Sequence, residues 1–434
     1  MYLQIYEYFN TLNLFYDNQY GFRKHHSTEF AALELSDRII NEMDVNKLPI
    51  NVYMDLSKAF DTLDHQILLH KLSYYGFHGI SLELIKSYLL NRTQYVDYDG
   101  SISDSLPITC GVPQGSILGP LFFIIYVNDL PYVTNIFKII IYADDTTLFA
   151  TLCQNDLSNS PQIDLINRNL SLIYNWLALN KLSLNIAKTK AMIFHTKQRQ
   201  ILNYPDLYID NSKIEFVKEF NFLGLLFDCN MSWKFHIIMI SKKISKTIGI
   251  LSKLKQYLPK EALLNIYNSL ILPYLNYGLL IWNKKSEILV KLQKKALRLI
   301  NNVKYNAHTA PLFKENTILK LEDMCALHDY AFCYKVYHKL TPQYFINKFL
   351  FSSHTEHPYF TRQTSLTRVP AVSHDFARNG ISYRYAVIIN NMPQIFKEKI
   401  LTHSFFGFKF FIKLNILNAY STSCSIGNCY ICSQ

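Results

Sequence analysis

Acidic residues are in short supply in this chain. It carries 33 Asp and Glu against 44 Lys and Arg over 434 residues, a net charge of +11 and a pI near 9.0. A balance of that sign disfavours basic partners and points to a polyanion, nucleic acid before acidic membrane. Close-set cysteine pairs are equally scarce: of eight cysteines, Cys110, Cys153, Cys229, Cys325 and Cys333 have no near neighbour of their kind. A disulfide framework is therefore not expected, and free thiols suit a reducing compartment. Met1 to Asn10 lacks a basic-then-apolar secretory pattern. No apolar run is clean enough for a bilayer. The best, Leu263 to Trp282, is interrupted by Asn265, Asn268, Pro273 and Asn276. The chain is expected to be intracellular, in nucleus or cytoplasm, with no membrane partner. Internal repeats are absent, and with 49% hydrophobic residues a sizeable core is expected instead of low-complexity disorder.

The most informative stretch that is present is Tyr142-Ala143-Asp144-Asp145. It follows the apolar run Ile139-Ile140-Ile141 and precedes Thr146-Thr147-Leu148-Phe149, which reads as strand, tight turn, strand. Asp is common in turns for ordinary conformational reasons. Two adjacent carboxylates at a hairpin tip nevertheless repel each other unless a cation lies between them, and a hard divalent ion takes such oxygen ligands. A two-metal phosphoryl-transfer site needs a further acid from a separate element, with metals roughly 3.5–4 Å apart. Ile50 to Leu56 reads as a largely buried strand, and Asp55 closes its apolar run Ile50 to Met54, where a lone charge is costly. Its ordinary alternative is to cap the following turn.

Elsewhere, periodicity predicts a helix over 30–43, a helix starting near Asp64 and stopped by Gly76, and another over Ser81 to Leu90. Gln94 to Thr109 reads as a hairpin around Asp99-Gly100. Gly111 to Pro120 is a loop feeding an apolar helix, Leu121 to Leu130, that Pro131 ends. Ile163 to Leu182 is amphipathic, and Ala191 to Phe194 and Lys218 to Phe227 read as strands. After Asp228 helical periods dominate. From Met231 to Tyr305 there are fourteen Lys or Arg against Glu261 and Glu287 alone, so this segment holds the whole positive excess. From about residue 340 the pattern loosens, and the tail from Asn418 is expected to be poorly ordered.

Six motifs occur in an order that resembles the reverse transcriptases of non-LTR (LINE, jockey-like) retrotransposons. Gln19-Tyr20-Gly21-Phe22-Arg23 with Ser27-Thr28 is similar to the family's finger motif, and Tyr53 to Asp61 to its first palm motif. Gly111-Val112-Pro113-Gln114-Gly115-Ser116 with Leu118-Gly119-Pro120 resembles its template and nucleotide loop, and Tyr142 to Asp145 its catalytic turn. Asn185 with Lys188-Thr189 resembles the next palm motif, and Phe222-Leu223-Gly224 the primer grip. Trp233, His236, Tyr277-Gly278, Trp282 and Lys294-Lys295-Ala296-Leu297-Arg298 look like the thumb.

The resemblance implies an α+β right-hand polymerase: partial fingers and palm over 1–230, a basic helical thumb over 231–340, and a region of no assigned role over 341–434. The implied activity is RNA-directed DNA polymerase, a nucleotidyltransferase extending a DNA 3′ end on an RNA template with deoxynucleoside triphosphates. Two Mg²⁺, with Mn²⁺ as the alternative, would be held by Asp55, Asp144, Asp145 and the Leu56 carbonyl. Phe60 would sense the sugar, and Gln114, Gly115, Arg23 and Lys188 would meet the nucleotide. Lys188 as proton donor to pyrophosphate and Lys188 as a solvated lysine both stay open. Gly111, Ser116, Tyr142, Gly224, Lys294, Lys295 and Arg298 would meet nucleic acid. The family's further fingers sequence and endonuclease domain have no counterpart before Gln19, so a truncated, inactive nucleic-acid-binding remnant or a domesticated protein is the alternative. Zinc is not expected: Cys424, Cys429 and Cys432 offer three ligands, and His403 is badly spaced for a fourth.

Overall fold

The computed structural model describes residues 1–113, 115–153, 161–199, 201–283, 286–350 and 367–420. The expected disorder of the tail falls almost wholly outside them, as do the three C-terminal cysteines. The chain divides into two compact units. One comprises Met1–Ala31 and Val45–Lys218, the other Ala32–Asp44 and Glu219–Gln434.

The first unit is built on a five-stranded sheet in the order Glu215–Phe216, Lys190–Ile193, Leu48–Met54, Asp145–Leu152, Lys138–Tyr142. The central strand, Leu48–Met54, is buried at every position, which alternating polarity would not allow and a strand covered on both faces requires. Its register against Asp145–Leu152 runs from Leu48 opposite Leu152 to Met54 opposite Thr146. The helix Leu118–Tyr126 reads apolar all round and is almost wholly buried, while Pro161–Leu179 buries Ile163, Ile166, Leu170, Ile173 and Leu177 at helical spacing. These helices share one hydrophobic core with the strands. The helix expected to run to Leu130 stops at Tyr126, and Pro131 sits inside a separate 3₁₀ turn, Leu130–Val133. Proline suits the first turn of a helix, where its missing N–H has no partner to lose.

The Asp64 side chain caps the helix His65–Tyr74 by accepting from the Gln66 and Ile67 amides, and Gly76 closes it at φ +98°. The exposed hairpin around Asp99-Gly100, both at positive φ, forms as expected from its turn chemistry.

In the second unit the expected strand Lys218 to Phe227 is instead a hairpin, Glu219–Phe222 paired with Leu225–Asp228. Leu223 and Gly224 make the turn at φ +47° and +80°, and the Tyr277 hydroxyl donates to the Leu223 carbonyl. The Asp228 carboxylate then accepts from the amides of Asn230, Ser232 and Trp233, leading into the helix Lys234–Leu254. The suspicious span Leu263 to Trp282 is three short helical pieces. Among the described residues, no helix is long and apolar enough to cross a membrane.

The loosened region is also helical, with Gln343–Leu350, Ile381–Asn391, Gln394–Thr402 and Phe405–Asn418. Periodicity is weak there because some of these helices are apolar on several faces; Phe405–Asn418 carries seven Phe or Ile in fourteen residues. Gln343–Leu350 and Ile381–Asn391 pack with 32–44. Asp37, wholly buried, pairs with Lys348 and accepts from Tyr344 Oη at 2.7 Å and Ser382 Oγ at 2.5 Å. Burial opposes its charge, but Lys348 and the two hydroxyls outweigh that and hold its pKa below the ordinary carboxylate value. Removing one partner of a buried pair strands the other. Asp37→Ala is expected to cost about 3 kcal/mol, read as a lowered urea midpoint.

Candidate active site

Asp55 follows directly on the central strand, one residue past the Met54–Thr146 pair that ends its register, and its charge is felt at Asp145. Its carbonyl accepts the Asn185 amide at 2.8 Å, and Leu56 pairs with Leu184 in a short antiparallel bridge. Asp144 and Asp145 stand at the tip of the neighbouring hairpin, where half-buried Tyr142 pairs with Asp145. Of the two residues between the strands, Ala143 has φ +56° and Asp144 does not share it. That is a conformation for which a hairpin normally uses glycine.

Burial, then the charges of Asp144 and Asp55, push the Asp145 carboxyl up to about 6. The three acids from two elements are thus close enough to repel one another. They do not close into a ligand cage: among the described residues, no group of three or more His, Cys, Asp or Glu side chains is gathered as a metal site. Asp55 instead turns to Lys188, whose Nζ lies 3.4 Å from its carboxylate. An all-carboxylate donor set under mutual repulsion fits a hard divalent cation and does not fit a soft one.

Phe60 is half-buried, on Phe123 at a ring separation of 4.5 Å and edge-on to Phe22 at 6.3 Å. The glycine loop is laced to the same segment, with Gly111 N donating to Leu63 O and Val112 N to Phe60 O. Gly111 has φ +80°, and a Cβ there would lie 2.6 Å from the Asp61 carbonyl oxygen, so glycine is required. Gly115, at φ +83°, faces open space. Ser116 Oγ accepts from the Gly119 amide at the start of the next helix. Gln114 lies outside the described residues. Arg23 is directed inward: its guanidinium donates to the Tyr16 carbonyl at 2.7 Å and lies over the Phe15 ring, and burial lowers its pKa.

In the second unit, Gly224 packs under the Tyr277 ring, 3.2 Å from where a Cβ would stand. Lys294 and Arg298 line one open cavity with Lys320. Arg298 Nε is engaged by the Ala307 carbonyl at 2.8 Å, and Lys295 is exposed.

Two residues to which the sequence pattern assigned no role belong to this site. His65 Nε2 meets the Gly111 carbonyl at 2.6 Å and so braces the loop; in sequence it is simply the first residue of a helix. Gln19 lay inside a quoted motif with no role attached, and it reaches the catalytic turn.

The family description "Reverse transcriptase (RNA-dependent DNA polymerase)" matches residues 2–227, more than half of the chain. The chain belongs to the reverse transcriptase family. Among its relatives, the RNA-directed DNA polymerase from mobile element jockey of Drosophila melanogaster is 26% identical over 319 residues, 70% of this chain and 34% of the relative. The protein described as the probable RNA-directed DNA polymerase from transposon X-element of the same species is also 26% identical, over 331 residues, covering 72% and 35%. The chain therefore spans about a third of the length of these relatives. Among solved structures, telomerase from Candida albicans in complex with a fragment of telomeric RNA aligns at a TM-score of 0.40 and 13% identity, covering 74% of this chain and 58% of that one. Apo telomerase from Candida tropicalis aligns at 0.42 and 13%, covering 79% and 55%. The expected family and its α+β polymerase fold are borne out.

The raised Asp145 pKa makes a reverse transcriptase of this sequence strained above neutrality. A raised folded-state pKa leaves stability intact below the unfolded value and removes it as pH climbs through about 6. Asp145 is exposed to solvent, and water screens the repulsion, so the effect is about 1 kcal/mol. Asp145→Asn is expected to raise Tm at pH 8, with the gain gone by about pH 4, in paired thermal scans.

Proposed function

We propose that this chain is the polymerase portion of a non-LTR retrotransposon reverse transcriptase, extending a DNA 3′ end on an RNA template. The observation that carries the reading is the convergence of Asp55, Asp144 and Asp145 from two adjacent strands, with Asp145's proton affinity raised in part by the other two charges. Asp55, Asp144, Asp145 and the Leu56 carbonyl would hold two Mg²⁺, or Mn²⁺ in its place. When bound, these ions lower the pKa of the primer hydroxyl and neutralise charge developing on the triphosphate.

The chain's own residues do the rest. Phe60, backed by Phe123, presents a flat wall at the sugar and excludes a 2′-hydroxyl. The loop from Gly111 to Ser116 brings bare backbone against the nascent pair, with Gln114 at its centre. Lys188, already drawn to Asp55, is released toward the leaving pyrophosphate when that carboxylate is otherwise engaged, and can give it a proton. Arg23 serves the nucleotide from behind, by fixing the loop that carries it. Residues 231–340 act as the thumb, where Lys294, Lys295 and Arg298 track a duplex backbone and Gly224 lies at the primer grip. The region 341–434 contributes by gripping the 32–44 helix segment through Asp37.

Primer extension on poly(rA)/oligo(dT) with Mg²⁺ tests the reading. Asp144→Ala is expected to lower incorporation by at least about a hundredfold. If wild type and Asp144→Ala incorporate equally little while duplex binding persists, the chain is a binding remnant. Phe60→Val is expected to relax exclusion of ribonucleotides by about tenfold or more, read from competing kcat/KM values. Lys294→Ala with Lys295→Ala should flatten the slope of log affinity for duplex against log salt by roughly 0.9 per lost contact.

A further inference from the structure

The catalytic turn is an awkward structure. Ala143 holds a left-handed conformation, φ +56°, that a residue with a Cβ adopts only when its surroundings impose it. Something must impose it, and the hairpin's own strands do not: their ladder ends at the Tyr142–Asp145 pair.

The restraint comes from residues 18–21. This segment lies alongside the hairpin as a short parallel bridge at Gln19 and Ile141. The Tyr20 amide donates to the Ile141 carbonyl at 2.7 Å, and the Ile141 amide to the Asn18 carbonyl at 3.0 Å. Gln19 is 1% exposed. Its side-chain Oε1 accepts from the Gly21 amide at 2.9 Å and from the Ala143 amide at 3.4 Å. One buried oxygen therefore clasps its own loop to the strained residue of the turn. Gly21 closes the contact from the other side, since a Cβ there would lie 2.4 Å from the Ala143 nitrogen.

Packing alone does not account for this residue. Gln19 Nε2 is buried with no partner, and burying an unpaired amide donor is unfavourable. An apolar side chain of the same length would fill the space without that penalty, so the contribution of Gln19 lies in its acceptor oxygen.

We propose that Gln19 is a positioning residue of the polymerase site: its buried amide oxygen holds Ala143 in the conformation that presents Asp144 and Asp145. Gln19 touches neither substrate nor metal and acts through the turn. The inference rests on the polymerase reading for its effect on rate, but not for its effect on the turn.

The test uses the full chain. Gln19→Met removes the acceptor at similar length, and Gln19→Asn keeps the amide but is one methylene short. Hydrogen–deuterium exchange of the segment carrying Ala143 should rise about tenfold in Gln19→Met and Gln19→Asn, the scale of one hydrogen bond. Exchange in the Leu148–Leu152 stretch should not change. In primer extension, kcat should fall about ten- to a hundredfold with KM for the deoxynucleotide nearly constant, as for a misplaced catalytic group. In an Ala143→Gly background the loss caused by Gln19→Met should shrink to a few-fold, because glycine needs no restraint at positive φ. Unchanged exchange at the turn, an equal rise throughout the sheet, or an undiminished loss in the Ala143→Gly background overturns the proposal. Should Gln19→Met not fold, Gln19→Asn decides on the same criteria. Should the wild type extend no primer, the polymerase reading falls and the exchange measurements alone judge Gln19.

Discussion

The site depends on the antiparallel register between Leu48–Met54 and Asp145–Leu152. A slip of one residue would turn every side chain of a strand to the opposite face. Here both strands are buried almost throughout, so a slip would carry the polar ends of the strands into the core. The register therefore follows from burial, and the placement of Asp55 near Asp145 follows from the register. No interaction between the two carboxylates is needed to bring them together, and their interaction is repulsive.

That repulsion and the backbone strain of Ala143 are concentrated in one turn. Both are unfavourable, and the rigid dry sheet beneath them tolerates both, which is how strained or like-charged groups usually survive in folded proteins. Support reaches the turn from sequence-distant places: Gln19 from one side, and the pairing of Leu56 with Leu184 beneath Asp55. In the same way His65 braces the glycine loop at Gly111. The second unit repeats the arrangement on a smaller scale, with the Leu223-Gly224 turn tied down by Tyr277.

Much of the first unit was legible in the sequence. The Asp64 cap, the Gly76 stop, the Asp99-Gly100 hairpin and the catalytic hairpin all follow from local chemistry that the chain cannot easily evade. Other features were not legible, for physical reasons. Lys218 to Phe227 reads as one strand because Leu223 carries no turn signal; its positive φ is held by tertiary contact. The helices beyond residue 340 were hidden because several of them are apolar on more than one face and polar residues are scattered among them. Arg23, expected at the nucleotide, is held inward by the Tyr16 carbonyl, a contact that no spacing announces.

The sequence by itself determined the chemistry on offer: three aspartates at strand ends, a glycine loop, a basic helical segment and the order of motifs that marks the family. These are properties of residue type and local spacing, which the chain expresses wherever it folds. Tertiary structure alone decided which acid carries the raised proton affinity, which side chain restrains the turn, and that the buried Asp37 of the 32–44 segment is gripped by helices some three hundred residues later. Desolvation and charge coupling depend on neighbours in space, and neighbours in space are set by packing.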